Sequence, residues 1–142
     1  CWVAFDPDPE RNLHQLAQLH GPRVLAATAP LEALAGQLDE YFIGTRESFE
    51  LDLDLSGVTP FHRDVLSSLA AVPYGTVTTY ADLARESGRP CAARAVGGAM
   101  NRNPIPIVLP CHRVVGSNGS LTGYAGGLAR KETLLALEGA RL

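Results

Sequence analysis

The stretch Ile105-Pro106-Ile107-Val108-Leu109-Pro110-Cys111-His112-Arg113-Val114 sets a cysteine beside a histidine, directly after an apolar run flanked by prolines. An ordinary cysteine thiol has a pKa near ~8.5, so a reactive cysteine needs a base, a positive charge or a helix N-terminus nearby. His112 and Arg113 could supply the first two. The simpler alternative is that Cys111 is a small buried hydrophobe after a core strand and that His112 is a solvated loop residue.

Two short helical segments precede this stretch. Residues 79–88 predict a helix that ends at a glycine, and residues 91–100 predict a second, which is helix-turn-helix spacing. Two short helices also occur in many helical cores. Arg94 is the only long polar side chain of the second segment, and Gly97 and Gly98 each cost a helix about 1 kcal/mol relative to alanine. The glycines indicate either tight packing between helices or a close approach of backbone to another surface, such as a DNA minor groove.

Three blocks of this sequence resemble the O6-alkylguanine-DNA alkyltransferase family. They are residues 94–115, which include the cysteine-histidine stretch, residues 73–80 upstream, and residues 123–128 running on to Leu137-Glu138-Gly139. The resemblance implies an α/β (α+β) fold in two parts. Residues 1–58 would form a ribonuclease-H-like unit with a small antiparallel sheet and a helix, and residues 59–142 a mainly helical domain with a winged-helix-like helix-turn-helix.

The resemblance also implies a reaction, the irreversible transfer of a methyl or other alkyl group from O6-alkylguanine in DNA to Cys111. O4-alkylthymine is a second candidate substrate. His112 would take the thiol proton through a bridging water, because consecutive side chains seldom face one another. Glu138 would orient the imidazole. The product is a thioether, so each protein molecule would act once and would need no cofactor.

Two further residues are predicted to serve the chemistry. Tyr80 would donate a hydrogen bond as charge leaves the alkylated base. Asn103 precedes a proline, which biases it away from helix, and the resemblance makes it a hinge between the recognition helix and the active-site loop.

The alkylated base lies inside the duplex, so the nucleotide must be rotated out before attack. By resemblance, Arg94 fills the vacated space, and Ala125 stands where some relatives have a serine. Predicted substrate-binding residues are Arg94, Tyr124, Ala125, Gly126 and Val114. Predicted DNA contacts are Tyr80, Arg94, Ala93, Gly97, Arg102 and Arg89. Each arginine could instead be solvated surface, and each tyrosine a core residue.

The distribution of charge fits a polyanion partner for one half of the chain. The net charge of the 142 residues is −3. Residues 1–58 hold three arginines against ten acids, a net −7, whereas residues 59–142 hold nine basic residues against five acids, a net +4. A modest positive balance of this kind indicates nucleic-acid binding only weakly.

Composition predicts a soluble, globular, intracellular protein: cytoplasmic, and nucleoid-associated if bacterial. The three cysteines, Cys1, Cys91 and Cys111, lack the spacing of a disulfide framework or a zinc knuckle. Zinc ligands are not recognisable among Cys1, His14 and His20. We therefore expect no metal, a free thiol, and a monomer that binds double-stranded DNA.

Periodicity predicts the remaining elements. Residues 1–5 read as a strand, residues 31–42 as an amphipathic helix that ends near Gly44, and residues 49–55 as a half-buried strand with strict alternation. A further helix is expected to start at Thr59 and Pro60.

Two other functions remain open from sequence. A non-catalytic module could bind alkylated guanine and recruit repair factors, although the retained cysteine, histidine and glutamate argue against this. A cysteine hydrolase with an acyl intermediate is a second alternative, from another class.

Overall fold

The computed structural model describes residues 8–20 and 31–141. Helices dominate this part of the chain, and a short two-stranded parallel sheet joins them. In chain order the elements are α1 (Pro9–His20), α2 (Glu32–Phe42), α3 (Pro60–Ala70), β1 (Thr78–Thr79), α4 (Tyr80–Glu86), α5 (Ala93–Asn101), a turn of 3-10 helix at Cys111–Arg113, β2 (Val114–Val115) and α6 (Leu128–Leu137). None of the helices described is long and apolar enough to cross a membrane.

Helices α3, α4 and α5 pack against one another and hold the main core, which includes Leu66, Leu83 and Val96. Their starts follow the sequence signals. The Thr59 side chain accepts a hydrogen bond from the His62 amide at the start of α3, as predicted, and the Thr79 side chain accepts one from Asp82 at the start of α4. The helix-turn-helix spacing is thus realised as α4 followed by α5.

The parallel pairing of β1 with β2 places the start of α4 beside the active-site stretch. Thr78 pairs with Val114 and Thr79 with Val115. Because the strands are parallel, Tyr80 continues from one end of the pair and the Cys111–Arg113 turn leads into the other end.

The apolar run before Cys111 is not the core strand that the simpler sequence alternative assumed. It folds into a compact turn in which the Leu109 amide donates to the Ile105 carbonyl at 2.9 Å. Ile107 has a φ of 77°, a backbone conformation that β-branched residues rarely adopt. Burial of Ile105, Ile107 and Leu109 holds this strained turn in place, and the turn directs the chain into the site.

Before Thr59, the structure confirms one element predicted from the sequence and differs from the prediction in two others. Helix α2 is confirmed, and Gly44 follows it with a φ of 76°. Residues 49–55 alternate in burial as predicted but do not form a strand, because no described segment forms a backbone ladder with them. The Gln37 side chain instead bonds the amide and the carbonyl of Glu50. Their predicted neighbour, residues 1–5, lies outside the described residues, so the antiparallel sheet stays a prediction, as does the boundary before Thr59. Helix α1 was not predicted, although Asp8 caps its first amides and Pro9 opens it.

Candidate active site

Cys111, His112 and Arg113 form a single tight turn and are all buried. The relative exposures are 5% for Cys111, 0% for His112 and 5% for Arg113. The Arg113 amide closes the turn by donating to the Pro110 carbonyl at 2.9 Å. His112 is therefore not a solvated loop residue, and its burial calls for a hydrogen-bonding partner.

That partner is Glu138, which caps the C-terminus of α6. His112 Nε2 lies 2.8 Å from Glu138 Oε1, and both side chains are fully buried. Since a carboxylate only accepts hydrogen bonds, Nε2 carries the proton and Nδ1 is left as an acceptor. Nδ1 has no hydrogen-bond partner within residues 8–20 and 31–141. The structure thus brings the predicted cysteine, histidine and glutamate together.

Glu138 receives more donors than the sequence indicated. Arg113 Nε donates to Oε2 at 2.8 Å and Nη2 to Oε1 at 2.9 Å. The Tyr41 hydroxyl from α2 donates to Oε1 at 2.7 Å, and the Gly75 amide to Oε2 at 3.3 Å. The hypothesis that Arg113 supplies positive charge to the thiol is therefore corrected, because its guanidinium is occupied by the carboxylate and by the Val72 carbonyl.

The electrostatics of this cluster set the resting protonation states. Burial alone would raise the pKa of Glu138, but hydrogen bonds from His112, Arg113 and Tyr41 outweigh it and lower that pKa to about 2. Burial lowers the pKa of His112 and raises the pKa of Cys111, the latter against an opposing hydrogen bond from Asn103. At neutral pH the pair consequently rests as neutral imidazole and neutral thiol beside an ionised glutamate.

Asn103 connects the end of α5 to the active-site turn. Its Nδ2 donates to the Leu109 carbonyl at 2.8 Å, and its Oδ1 accepts from the Ile105 amide at 3.1 Å. Asn103 lies two residues after the last residue of α5. Asn103 thus joins the end of α5 to the active-site turn, and its role as a hinge stays a prediction.

The loop that would hold the base is fixed from two sides. The Tyr80 hydroxyl lies 3.2 Å from the Thr122 carbonyl and 3.1 Å from that of Gly123, so its proton is engaged by this loop. Lys131, fully buried on α6, donates to Thr122 at 2.7 Å and to the Val114 carbonyl at 2.5 Å. Lys131 was missed from sequence, although its spacing from Leu134 and Leu135 places it on the apolar face of α6.

The other predicted substrate residues differ in accessibility. Ala125 is exposed, Gly126 is half-buried, and Tyr124 packs against both hydrophobic clusters. Burial raises the pKa of the Tyr124 phenol, and the nearby Cys111 adds to the rise. Val114 is fully buried, and its carbonyl accepts a hydrogen bond from Lys131, so its contact with a substrate stays a prediction.

The outer surface of α5 is small and open. Arg94 is exposed, and a Cβ added at Gly97 would meet only the Tyr80 ring at 3.9 Å, an ordinary contact. One added at Gly98 would likewise lie 3.8 Å from Arg102. Internal packing therefore does not require either glycine, which weakens the helix-packing alternative. Ala93 at the start of α5 is half-buried.

Three other arginines lie on α4, after it, or at the end of α5. Arg102 caps α5 and is exposed. Arg89 is exposed, approaches Asp64 at 3.9 Å and stacks over Phe61, while Arg85 pairs with Asp82. Cys91 is a free, exposed thiol, and no three His, Cys, Asp or Glu side chains meet as a metal site among the residues with a described structure.

The sequence is similar to that of known proteins over most of its length. Residues 60–140 match the family described as 6-O-methylguanine DNA methyltransferase, DNA binding domain. The methylated-DNA–protein-cysteine methyltransferase of Mycolicibacterium paratuberculosis is 48% identical over 130 residues, which cover 89% of this chain and 78% of the relative.

Two solved structures are also similar. The crystal structure of Mycobacterium tuberculosis OGT in complex with DNA has a TM-score of 0.73 at 47% identity. The match covers 75% of this chain and 66% of the M. tuberculosis chain. The crystal structure of S. pombe Atl1 in complex with damaged DNA containing O6-carboxymethylguanine has a TM-score of 0.51 at 35% identity. The match covers 57% of this chain and 77% of the Atl1 chain. These neighbours confirm the α/β fold, and the chain belongs to the 6-O-methylguanine DNA methyltransferase family.

Proposed function

We propose that this chain repairs DNA by moving a methyl or other alkyl group from the O6 atom of guanine to the sulfur of Cys111. The observation that carries the proposal is the 2.8 Å contact between His112 and an ionised Glu138, buried beside a buried cysteine. The relative and the DNA-bound structure support it through their names alone.

The displacement uses the resting states described above. The Cys111 thiol gives its proton, through a bridging water, to Nδ1 of His112, which Glu138 holds in the accepting tautomer. The sulfur attacks the alkyl carbon as the bond from that carbon to the guanine O6 breaks. The bond's electron pair stays on the guanine, where the Tyr80 hydroxyl stabilises it with a hydrogen bond once it leaves the loop carbonyls. The proton held by His112 then returns through water to neutralise the guanine, and the product is a thioether. Water cannot reverse it, so the protein acts once.

A buried, protonated thiol gives this reaction its selectivity. Because burial raises the pKa of Cys111, little thiolate is present before a substrate arrives, and general alkylating agents react slowly. Proton transfer during attack then confines reactivity to a base held in the loop near Tyr80 and Tyr124.

DNA recognition falls to α5. Its small side chains let the backbone approach a minor groove, and Arg94 occupies the space left by the extruded nucleotide. Arg102 and Arg89 contact phosphates, the sequence-independent source of affinity. The protein works as a monomer wherever the cell keeps its DNA, which is the cytoplasm and nucleoid in a bacterium.

The proposal is tested with duplex DNA that carries an isotope-labelled methyl group on guanine O6. The label should move to the protein until one methyl group is bound per molecule, and unmodified guanine should be restored. Binding without transfer would favour the non-catalytic lesion-binding module. Release of the label into solution with repeated turnover would favour a hydrolase.

A further inference from the structure

The hydroxyl of Tyr41 has no part in the transfer as proposed above, yet it contacts the relay directly. Tyr41 lies in α2, 97 residues before Glu138, and its ring is fully buried among Phe42, Phe49 and Tyr74. A buried tyrosine hydroxyl needs a partner, and the 2.7 Å bond to Glu138 Oε1 supplies it.

Glu138 Oε1 has more donors than lone pairs. The Tyr41 hydroxyl, His112 Nε2 and Arg113 Nη2 all lie within 2.9 Å of it, while Arg113 Nε and the Gly75 amide take Oε2. A carboxylate offers about four lone-pair sites. The donors therefore compete, and each one weakens the hold of the carboxylate on the imidazole N–H.

We propose that Tyr41 is a positioning residue that limits the basicity of His112 by occupying Glu138 Oε1. This assignment rests on the proposed function for its biological meaning, but not for its test. The titratable groups that act on the imidazole are Glu138, Arg113 and Lys131, and those that act on Tyr41 are Glu138, Arg113 and Tyr74. The Tyr41 hydroxyl itself is a neutral donor, so it can be removed without changing the local charge.

The direction of the effect follows from the competition. Without the Tyr41 hydroxyl, Oε1 binds the imidazole N–H more strongly and stabilises the imidazolium, so the pKa of His112 rises. The thiol can be activated only where His112 is neutral. The acid limb of Cys111 reactivity should therefore move to higher pH, by about half a pH unit if part of one neutral hydrogen bond is transferred to the imidazole.

The test measures carbamidomethylation of Cys111 by iodoacetamide against pH in the full chain, with peptide mapping to separate it from the exposed Cys91. Tyr41→Phe keeps the ring packing and removes only the donor. Tyr74→Phe is the matched control, because its hydroxyl lies 3.3 Å from the Leu137 carbonyl and does not touch the carboxylate. We expect the midpoint of the acid limb to rise in Tyr41→Phe and to stay unchanged in Tyr74→Phe.

An unshifted midpoint in folded Tyr41→Phe would overturn the assignment, including the case in which the rate falls by the same factor at every pH. If Tyr41→Phe does not fold, 3-fluorotyrosine at position 41 replaces it. Its stronger donor should move the midpoint to lower pH, and an unchanged midpoint would again overturn the role. Iodoacetamide needs neither DNA nor an alkylated base, so these profiles decide the role of Tyr41 even if labelled DNA gives no transfer.

Discussion

The relay around Glu138 and the outer surface of α5 are built in opposite ways. The relay is buried and crowded: one carboxylate receives five donors from three parts of the chain. The surface of α5 is exposed and nearly bare, with Arg94 as its one long side chain between alanines and glycines. In the proposed function, chemistry at Cys111 depends on the contacts made by Glu138, whereas DNA recognition depends on Arg94 and on the small side chains around it. Substitutions in the two regions should have separable effects.

Glu138→Gln should have the largest effect. It leaves Arg113 and His112 without their anion, and breaking a buried pair costs about 3–5 kcal/mol of stability. Loss of an oriented base should slow transfer to Cys111 by about 100-fold or more. Stopped-flow or quench measurements of methyl transfer, with denaturant unfolding, check both. Glu132→Gln, an exposed position on the same helix, is the control and should change neither.

The same substitution has a pH signature. The pKa of Glu138 is about 2 in the folded protein against an ordinary 4.5, so ionised Glu138 stabilises the fold fully above pH 4.5 and loses that effect as the pH falls toward 2. The stability gap between the native chain and Glu138→Gln should narrow over that window. A gap that stays constant down to pH 2 would contradict the assigned ionisation.

Arg94→Ala should affect duplex DNA alone. If Arg94 stabilises the extruded nucleotide, its removal leaves more of the extrusion cost of a few kcal/mol uncompensated. Repair in duplex DNA should then slow by about 10- to 100-fold. Reaction with free O6-alkylguanine should keep its rate, and a double-mutant cycle with His112→Ala should be close to additive. Equal losses on both substrates would place Arg94 in the chemistry.

Alkylation of Cys111 should destabilise the folded protein by an intermediate amount. The thiol lies in the main core cluster at 5% exposure, and added methylenes in such a site cost about 1–3 kcal/mol. Melting temperatures should fall from the unmodified to the methylated to the benzylated form. A methylated form that melts at or above the unmodified one would show that the pocket accepts the product without strain.

Gly97→Ala should change the stability of the protein least, and it should raise stability where the preceding changes lower it. Its Cβ makes only ordinary contact with Tyr80, so the helix should gain up to about 1 kcal/mol while DNA affinity falls. Gly36→Ala in α2 is the matched control, since a Cβ there meets nothing within 4 Å. It should stabilise the protein and leave DNA binding alone. Unchanged DNA affinity in Gly97→Ala would remove α5 from the interface.

Sequence predicted the parts of this molecule that depend on local signals. Threonine caps and glycine stops set the helices, and the cysteine-histidine stretch located the site. Tyr41 was visible only as one residue of the amphipathic helix predicted over residues 31–42, because the partner of its hydroxyl lies 97 residues away. Arg113 was assigned to the thiol for the same reason: nothing in its local sequence shows that Glu138 comes within 2.8 Å.

The apolar run before Cys111 has a backbone conformation that its sequence does not predict. Its β-branched residues favour a strand, yet tertiary burial holds Ile107 at a φ of 77°. Strand pairing of residues 49–55 is likewise not predictable from their sequence. Alternation shows which face of the segment is buried but not whether a neighbouring strand pairs with the segment.

The most direct test of the central claim is peptide mapping after incubation with duplex DNA that contains O6-methylguanine. We predict one methyl group per molecule, on buried Cys111, with Cys1 and the exposed Cys91 unmodified. Cys111→Ala should take up none and still bind the DNA. A methyl group on Cys91, or repair of several DNA lesions by one protein molecule, would contradict the account.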